Sequence, residues 1–345
     1  MKKIVVLLLL CPLLSLAQSK YSGVGKKLFK QATQAYSEGN IDEAVRLFKD
    51  CINQDPNFAE AHLNLATINY YRGRFDLALS YAKRAYNYNR YQPEVYVQLG
   101  KAYFQNGQYD SCVTMLSTAV TEFNNETEDV FLHLAKALNK VGNYQQAIVY
   151  LDKVIEQNPK SGAAYNERGI SDFNNGDFES ATADFNQALS LIPGEAGIYT
   201  NLANLAIANE DVEQAMEYIE KAKETATNKE QVQLLILQGN FYRASGDIEN
   251  AENAYNRAFE LDNNNAVVLN NQASIFIDKD NYKAAWEKSN RALELNNEMM
   301  EAYFNRGIAN EMLRKTEEAC LDWEQAFILG SEKAEEYLNS PTCAE

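Results

Sequence analysis

Little in this chain can do chemistry. Its 345 residues include only two histidines, His62 and His133. It has no histidine pair, no CxxC, no glycine-rich phosphate loop and no GxSxG. The local signatures of metal, redox, nucleotide and acyl-transfer sites are therefore missing. Any catalytic site would have to be assembled from distant segments, so the chain is read as non-catalytic, with no cofactor and no metal expected. Basic residues are also scarce, 32 Lys and Arg against 48 Asp and Glu, for a net charge of −16. Such acidity repels nucleic acid and anionic headgroups, which excludes nucleic acid as a partner class. Beyond the first 17 residues no run is apolar enough to cross a bilayer. Membrane contact is expected only through partners.

The amino terminus carries an export signal. Lys2 and Lys3 precede the apolar run from Ile4 to Leu14, and Ser15-Leu16-Ala17 supplies small residues at the cleavage positions. Residues 1–17 are expected to be a signal peptide cut after Ala17. Removing its two lysines leaves 30 basic against 48 acidic groups, a net of −18. Lipid anchoring at Cys11 is disfavoured, because Leu10 stands where a small residue is needed. The expected location is the periplasm or the extracellular space.

What fills the rest is repetition. A turn position falls at Gly39, Gly73, Gly107, Gly142, Gly176, Glu210, Gly246, Asp280 and Arg314, spaced by 34 to 36 residues. Five residues after each turn stands a small residue: Ala44, Ala78, Cys112, Ala147, Ala181, Ala215, Ala251, Ala285 and Ala319. Seven later comes a second column, from Cys51 and Ala85 to Ala326, and seven before the turn a third, from Ala32 to Gly307. Between the turns, apolar residues recur at helical spacing, as in Tyr165, Gly169 and Phe173, or Ala181, Phe185 and Ala188. Columns of small residues let paired helices approach closely. A lone helical hairpin leaves one side of each helix wet, so each copy needs its neighbours.

This register resembles the tetratricopeptide repeat, the 34-residue helix–turn–helix family. The likeness covers nine units: 25–58, 59–92, 93–126, 128–161, 162–195, 196–229, 232–265, 266–299 and 300–333. A polar lead-in, 18–24, precedes them, and a capping helix with its tail, 334–345, follows. The resemblance implies an all-α, right-handed superhelical solenoid. The family's aromatic at the fourth position is kept as Tyr96, Phe131, Tyr165, Tyr199 and Tyr303 and replaced by Leu28, His62, Leu235 and Leu269. The turns at Glu210, Asp280 and Arg314 lack glycine and match least well. Extra residues at Glu126-Thr127 and Lys229-Glu230-Gln231 are expected to lengthen two loops.

In this family the second, fifth, sixth, ninth, twelfth and thirteenth positions of each first helix line a concave binding surface. The resemblance therefore places Lys101, His133, Lys136, Asn139 and Lys140 on that surface in units three and four. Such lysines suit a partner's carboxylate or phosphate, unless Glu94 and Asp129 neutralise them. The family's carboxylate clamp needs lysine at the fifth position, where this chain has Phe29, Leu63, Val97 and Leu132. From unit five onward the same surface is rich in amides: Asn166, Asn201, Asn204, Asn240, Asn270, Asn271 and Asn305. These resemble an asparagine ladder that bonds a peptide backbone, or they tie neighbouring helices together. Tyrosines crowd units one to three. Most are expected to fill the core, but Tyr70, Tyr71 and Phe104 occupy outward positions and are candidate aromatic contacts.

Among the cysteines, Cys51 and Cys112 occupy small-residue columns and are read as buried thiols. Cys320 opens the second helix of unit nine, and an antiparallel cap would bring Cys343 back to it. A Cys320–Cys343 bridge is expected, as export allows. The functional expectation is a scaffold binding a protein or peptide segment in a cell envelope. A glycan binder is the alternative, and an enzyme with a site built across repeats is less favoured.

Overall fold

The computed structural model describes residues 21–340 and Cys343; the expected leader, with Cys11 and Ala17, lies outside the described residues. Among the described residues there are nineteen helices and no strands. None of these helices is long and apolar enough to cross a membrane. The chain divides into two compact units, 1–184 and 185–345.

In the first unit the repeats pair α1 (Gly23–Ser37) with α2 (Ile41–Gln54), α3 (Ala59–Tyr71) with α4 (Phe75–Tyr88), α5 (Pro93–Gln105) with α6 (Tyr109–Phe123), and α7 (Glu128–Lys140) with α8 (Tyr144–Gln157). Then come α9 (Gly162–Asn174) and α10 (Phe178–Leu191), and the division falls within α10. In the second unit α11 (Ala196–Ala208) pairs with α12 (Val212–Thr225), α13 (Asn228–Ala244) with α14 (Ile248–Leu261), α15 (Ala266–Asp278) with α16 (Tyr282–Leu295), and α17 (Met300–Met312) with α18 (Thr316–Ile328). The cap is α19 (Glu332–Leu338). Within each unit a helix packs on its sequence neighbours, and first helices also touch the first helices of adjacent repeats. Contacts this local are the mark of a stack of hairpins.

The small-residue columns are the closest contacts. All nine residues five places after the turns are at most 1 % exposed, as are all nine at the column seven places later. At the third column, glycine admits a bulky partner from the second helix. A Cβ on Gly100 would stand 2.7 Å from Leu116, one on Gly239 2.4 Å from the Tyr255 ring, and one on Gly307 2.4 Å from Trp323.

Every turn closes the same way. The residue after the turn position donates its backbone N–H five residues back, as in Asn40 to Ala35, Asp177 to Asp172 and Lys315 to Asn310, each at 2.9 Å. This bond requires a left-handed residue at the turn. Glu210, Asp280 and Arg314 adopt φ of 59°, 56° and 60°, so the glycine-free turns keep the family geometry despite their weaker match. Side chains with a Cβ are strained there. Arg314→Gly is expected to raise stability by about 0.5–1 kcal/mol, since relief of about 1–2 kcal/mol exceeds glycine's added freedom when unfolded. The urea midpoint checks it, and a lower midpoint refutes it.

Three boundaries differ from the sequence reading. Gly23 and Val24 belong to α1, which Ser22 caps by accepting from the Gly25 N–H, and Tyr21 is buried, stacked on Phe58 with centroids 3.9 Å apart. The lead-in is thus partly core. Lys229–Gln231 lengthen α13 rather than a loop, because Thr227 and Glu230 form a reciprocal capping box that starts the helix early. The cap begins at Glu332, two residues sooner than expected, because the Ser331 hydroxyl accepts from the Ala334 N–H.

Candidate functional site

In the first unit, the lysines expected on the first-helix face are largely neutralised. Lys101 is only 7 % exposed, and its Nζ lies 2.5 Å from an Asp129 carboxylate oxygen. It is therefore not an open contact: the buried ammonium of α5 is paired with the half-exposed Asp129 carboxylate of α7. His133 Nδ1 sits 2.8 Å from its own helix's Asp129 carbonyl. Burial, then the neighbouring Lys101 charge, hold its pKa below the ordinary histidine value, so the ring is neutral at pH 7. Lys136 pairs with Glu167 at 3.5 Å, not with the acids expected from sequence. Asn139 ties α7 to α9: it donates to the Glu167 carbonyl at 3.2 Å and accepts from the Ser171 hydroxyl at 2.8 Å. Lys140 is exposed and makes no ion pair among the described residues. Asn166 is partly buried on α9.

The outward aromatics separate. Tyr71 is 57 % exposed. Tyr70 packs against the core, edge-on to Tyr71 and Phe75, with its hydroxyl accepting from Gln105. Phe104 packs edge-on to Tyr109. Of the three, Tyr71 is the exposed side chain, and Tyr70 and Phe104 are partly buried. His62, in the family's aromatic column, is buried between Tyr81 and Tyr88, with Nε2 2.9 Å from the Pro56 carbonyl.

One partly buried network went unseen in the sequence. Arg168 grips Asp184 through Nε at 2.7 Å and a terminal nitrogen at 2.8 Å, and reaches Asp152 on α8 at 2.6 Å. In unit nine Arg306 repeats this with Asp322 and Asn290. Arg168 and Arg306 both lie eight residues before their turns, and Asp184 and Asp322 eight after. That covariation at fixed offsets was the available signal.

In the second unit the amides take two roles. Asn270, 5 % exposed, accepts from Asn305 at 2.8 Å, and Asn305 also donates to the Ser274 hydroxyl at 3.0 Å. These bonds tie α15 to α17, the stack-stabilising one of the two roles expected of the amides. Asn201 and Asn204 are partly buried on α11. Asn240 and Asn271 differ. The Tyr255 hydroxyl donates to Asn240 Oδ1 at 2.7 Å, and Asn271 Nδ2 donates to the same oxygen at 3.2 Å. Burial pushes the Tyr255 phenol up to about 12, so it remains a donor throughout the physiological range. With Asn240 Oδ1 doubly engaged, its Nδ2 donor and the Asn271 Oδ1 acceptor have no partner among the described residues. Both residues line a cavity of about 350 Å³ with Arg243, Ala244, Ile248, Tyr255 and Asp278. Its edge is held by Arg243, which donates to Asp278 at 2.6 and 3.1 Å.

Cys320 and Cys343 are joined by a disulfide with Cα atoms 5.6 Å apart. Cys51 and Cys112 are buried thiols pushed up to about 12 by burial. No group of His, Cys, Asp or Glu side chains among the described residues could hold a metal ion.

Models described as tetratricopeptide repeats match residues 29–94, 132–196, 173–238 and 232–265, more than half of the chain. A model described as anaphase-promoting complex, cyclosome, subunit 3 matches 71–154. The human protein O-mannosyl-transferase TMTC3 is 27 % identical over 224 residues, 60 % of this chain and 24 % of its own length. The TPR repeat-containing protein YpiA of Bacillus subtilis is 24 % identical over 193 residues, 54 % of this chain and 45 % of its own. The chain thus spans less than half the length of these curated relatives. A solved tetratricopeptide repeat protein from Parabacteroides merdae superposes with a TM-score of 0.61 at 20 % identity, covering 74 % of this chain and all of that one. At that identity the likeness is one of fold.

Proposed function

Since the chain belongs to the tetratricopeptide-repeat family, we propose that it is a non-catalytic protein-interaction scaffold that holds an extended peptide segment against its first helices. The observation that carries this reading is the Asn240–Asn271 pair. One amide donor and one amide acceptor stand side by side in a cavity, oriented by Tyr255. That complement matches a peptide unit, which offers one C=O and one N–H. Because Tyr255 and Arg243 hold the wall, little ordering entropy is lost on binding. The leader expected at 1–17 supports a working place outside the cytoplasm, in the cell envelope.

A screen of fluorescent extended peptides by polarisation tests it. Asn240→Ala and Asn271→Ala are each expected to weaken the selected peptide about tenfold, one lost backbone bond of about 1–1.5 kcal/mol. The melting temperature of Asn271→Ala should stay near wild type, whereas Asn240→Ala also strips the Tyr255 hydroxyl of its acceptor and should lower it. Asn305→Ala, by contrast, should lower the melting temperature and leave affinity unchanged. Wild-type affinity in both Asn240→Ala and Asn271→Ala would overturn the reading.

A further inference from the structure

The Arg168–Asp184 and Arg306–Asp322 bridges define a pair of positions, eight residues before and eight after the turn. In unit eight the same positions hold Gln272 and Lys288, about the turn at Asp280. The carboxylate is gone and a cation stands in its place. Lys288 Nζ donates to Gln272 Oε1 at 2.8 Å, and Gln272 passes the chain on to Asn256 at 2.8 Å. The ammonium lies 4.2 Å from the centre of the Phe259 ring. It makes no ion pair with any described residue, although the chain carries a large excess of acids. Its hydrogen-bond and ring partners are neutral; burial lowers its pKa, and the nearby Glu287 carboxylate offsets only part of that shift.

This ammonium borders a second cavity, of about 390 Å³, lined by Phe259, Asn263, Asn264, Leu269, Glu287, Lys288 and Arg291. Its walls come from α14, α15, α16 and the loop before α15. It is therefore distinct from the amide cavity beside Asn240. Arg291 reaches Glu294 at 2.7 Å and Asn264 Oδ1 at 3.4 Å, which leaves its Nε–H and the Asn264 side-chain Nδ2 donors unspent. Donors of two cations thus converge with one aromatic and one aliphatic wall. We propose that this cavity is a binding site for a small organic anion, whose carboxylate or phosphate meets Lys288 and Arg291 and whose apolar part lies on Phe259 and Leu269. The volume is that of a small-molecule pocket. Glu287 also lines the cavity, close enough to act on the Lys288 ammonium, and disfavours a ligand carrying a second negative group.

Calorimetric titration of the full mature chain with benzoate and with phenyl phosphate tests the site and separates the two anion sources. At least one is expected to bind with a Kd of about 1 mM, the range that two charge-assisted bonds at a partly open site give. Lys288→Gln should weaken it about tenfold, and Lys288→Arg should restore most of the loss. If Lys288→Gln lowers the melting temperature, Arg291→Gln on the exposed side carries the test, with an expected loss of about threefold. Lys49→Gln, an exposed lysine on α2, should bind as wild type. No binding of either probe by the wild-type chain, or equal losses in Lys288→Gln and Lys49→Gln, would overturn the proposal. Neither outcome bears on peptide binding at Asn240 and Asn271.

Discussion

Trp323→Ala is expected to destabilise the last repeat and its cap by about 3–5 kcal/mol. Trp323 is fully buried and the largest such side chain among the described residues. It fills the gap left by Gly307, packs 4.7 Å from the Tyr337 ring, and is covered by Ala334 and Leu338 of α19. Its removal leaves a cavity that a seven-residue cap cannot collapse into. Because cohesion in the stack is local, the loss should appear first as faster amide exchange in α17, α18 and α19, with the first unit unchanged. The Cys320–Cys343 bridge keeps the cap tethered, so reduction should deepen the effect. Gly307→Ala approaches the same contact from the other side and should cost about 1–3 kcal/mol by overpacking. Combined with Trp323→Leu it should cost less than the two separate losses added, since each change makes room for the other. Uniform loss of protection along the whole chain would contradict this local account.

Asp172→Asn is expected to stabilise the protein at pH 7 by about 3 kcal/mol. Asp172 is 8 % exposed, and burial, followed by the Asp184 charge, pushes its carboxyl from 3.8 to about 6, against the opposing pull of Arg168. A shift of that size corresponds to about 3 kcal/mol. The folded state therefore holds a proton there that the unfolded state releases. Through the window from about 4 to about 6 this group makes stability fall as pH rises, and above it the full cost of the ionised form is present. Unit nine already contains the substitution. Asn310 stands at the equivalent place, four residues before its turn, and donates to Asp322 at 2.9 Å. An amide at 172 can make the same bond to Asp184. Urea midpoints of wild type and Asp172→Asn should converge near pH 4 and separate by pH 7. A constant gap at all pH values would refute the assignment.

The asparagines of the second unit show why the candidate site was only half legible. Position in the repeat identified Asn240, Asn270, Asn271 and Asn305 as one class. Whether an amide is available depends on what stands opposite, and that partner lies half a repeat to one repeat away in sequence. Asn305 meets Asn270 and Ser274, so its bonds stay inside the stack. Asn240 meets Tyr255, which reaches it only because Gly239 leaves room for the ring. Lys101 fails for the same reason. Its column was right, but Asp129 on the next repeat's first helix closes over it.

By itself, the sequence determined the repeat period, the small-residue columns, the turn positions and the near absence of local catalytic signatures. Each depends on spacing along one chain, and helix geometry converts spacing into facing directly. The tertiary structure alone decided which polar side chains are spent. It neutralised Lys101 and Lys136, left Lys140 exposed, oriented Asn240 through Tyr255, and set Lys288 against Gln272 and the Phe259 ring. Those outcomes depend on distances of a few ångströms between helices, which a one-dimensional period does not contain.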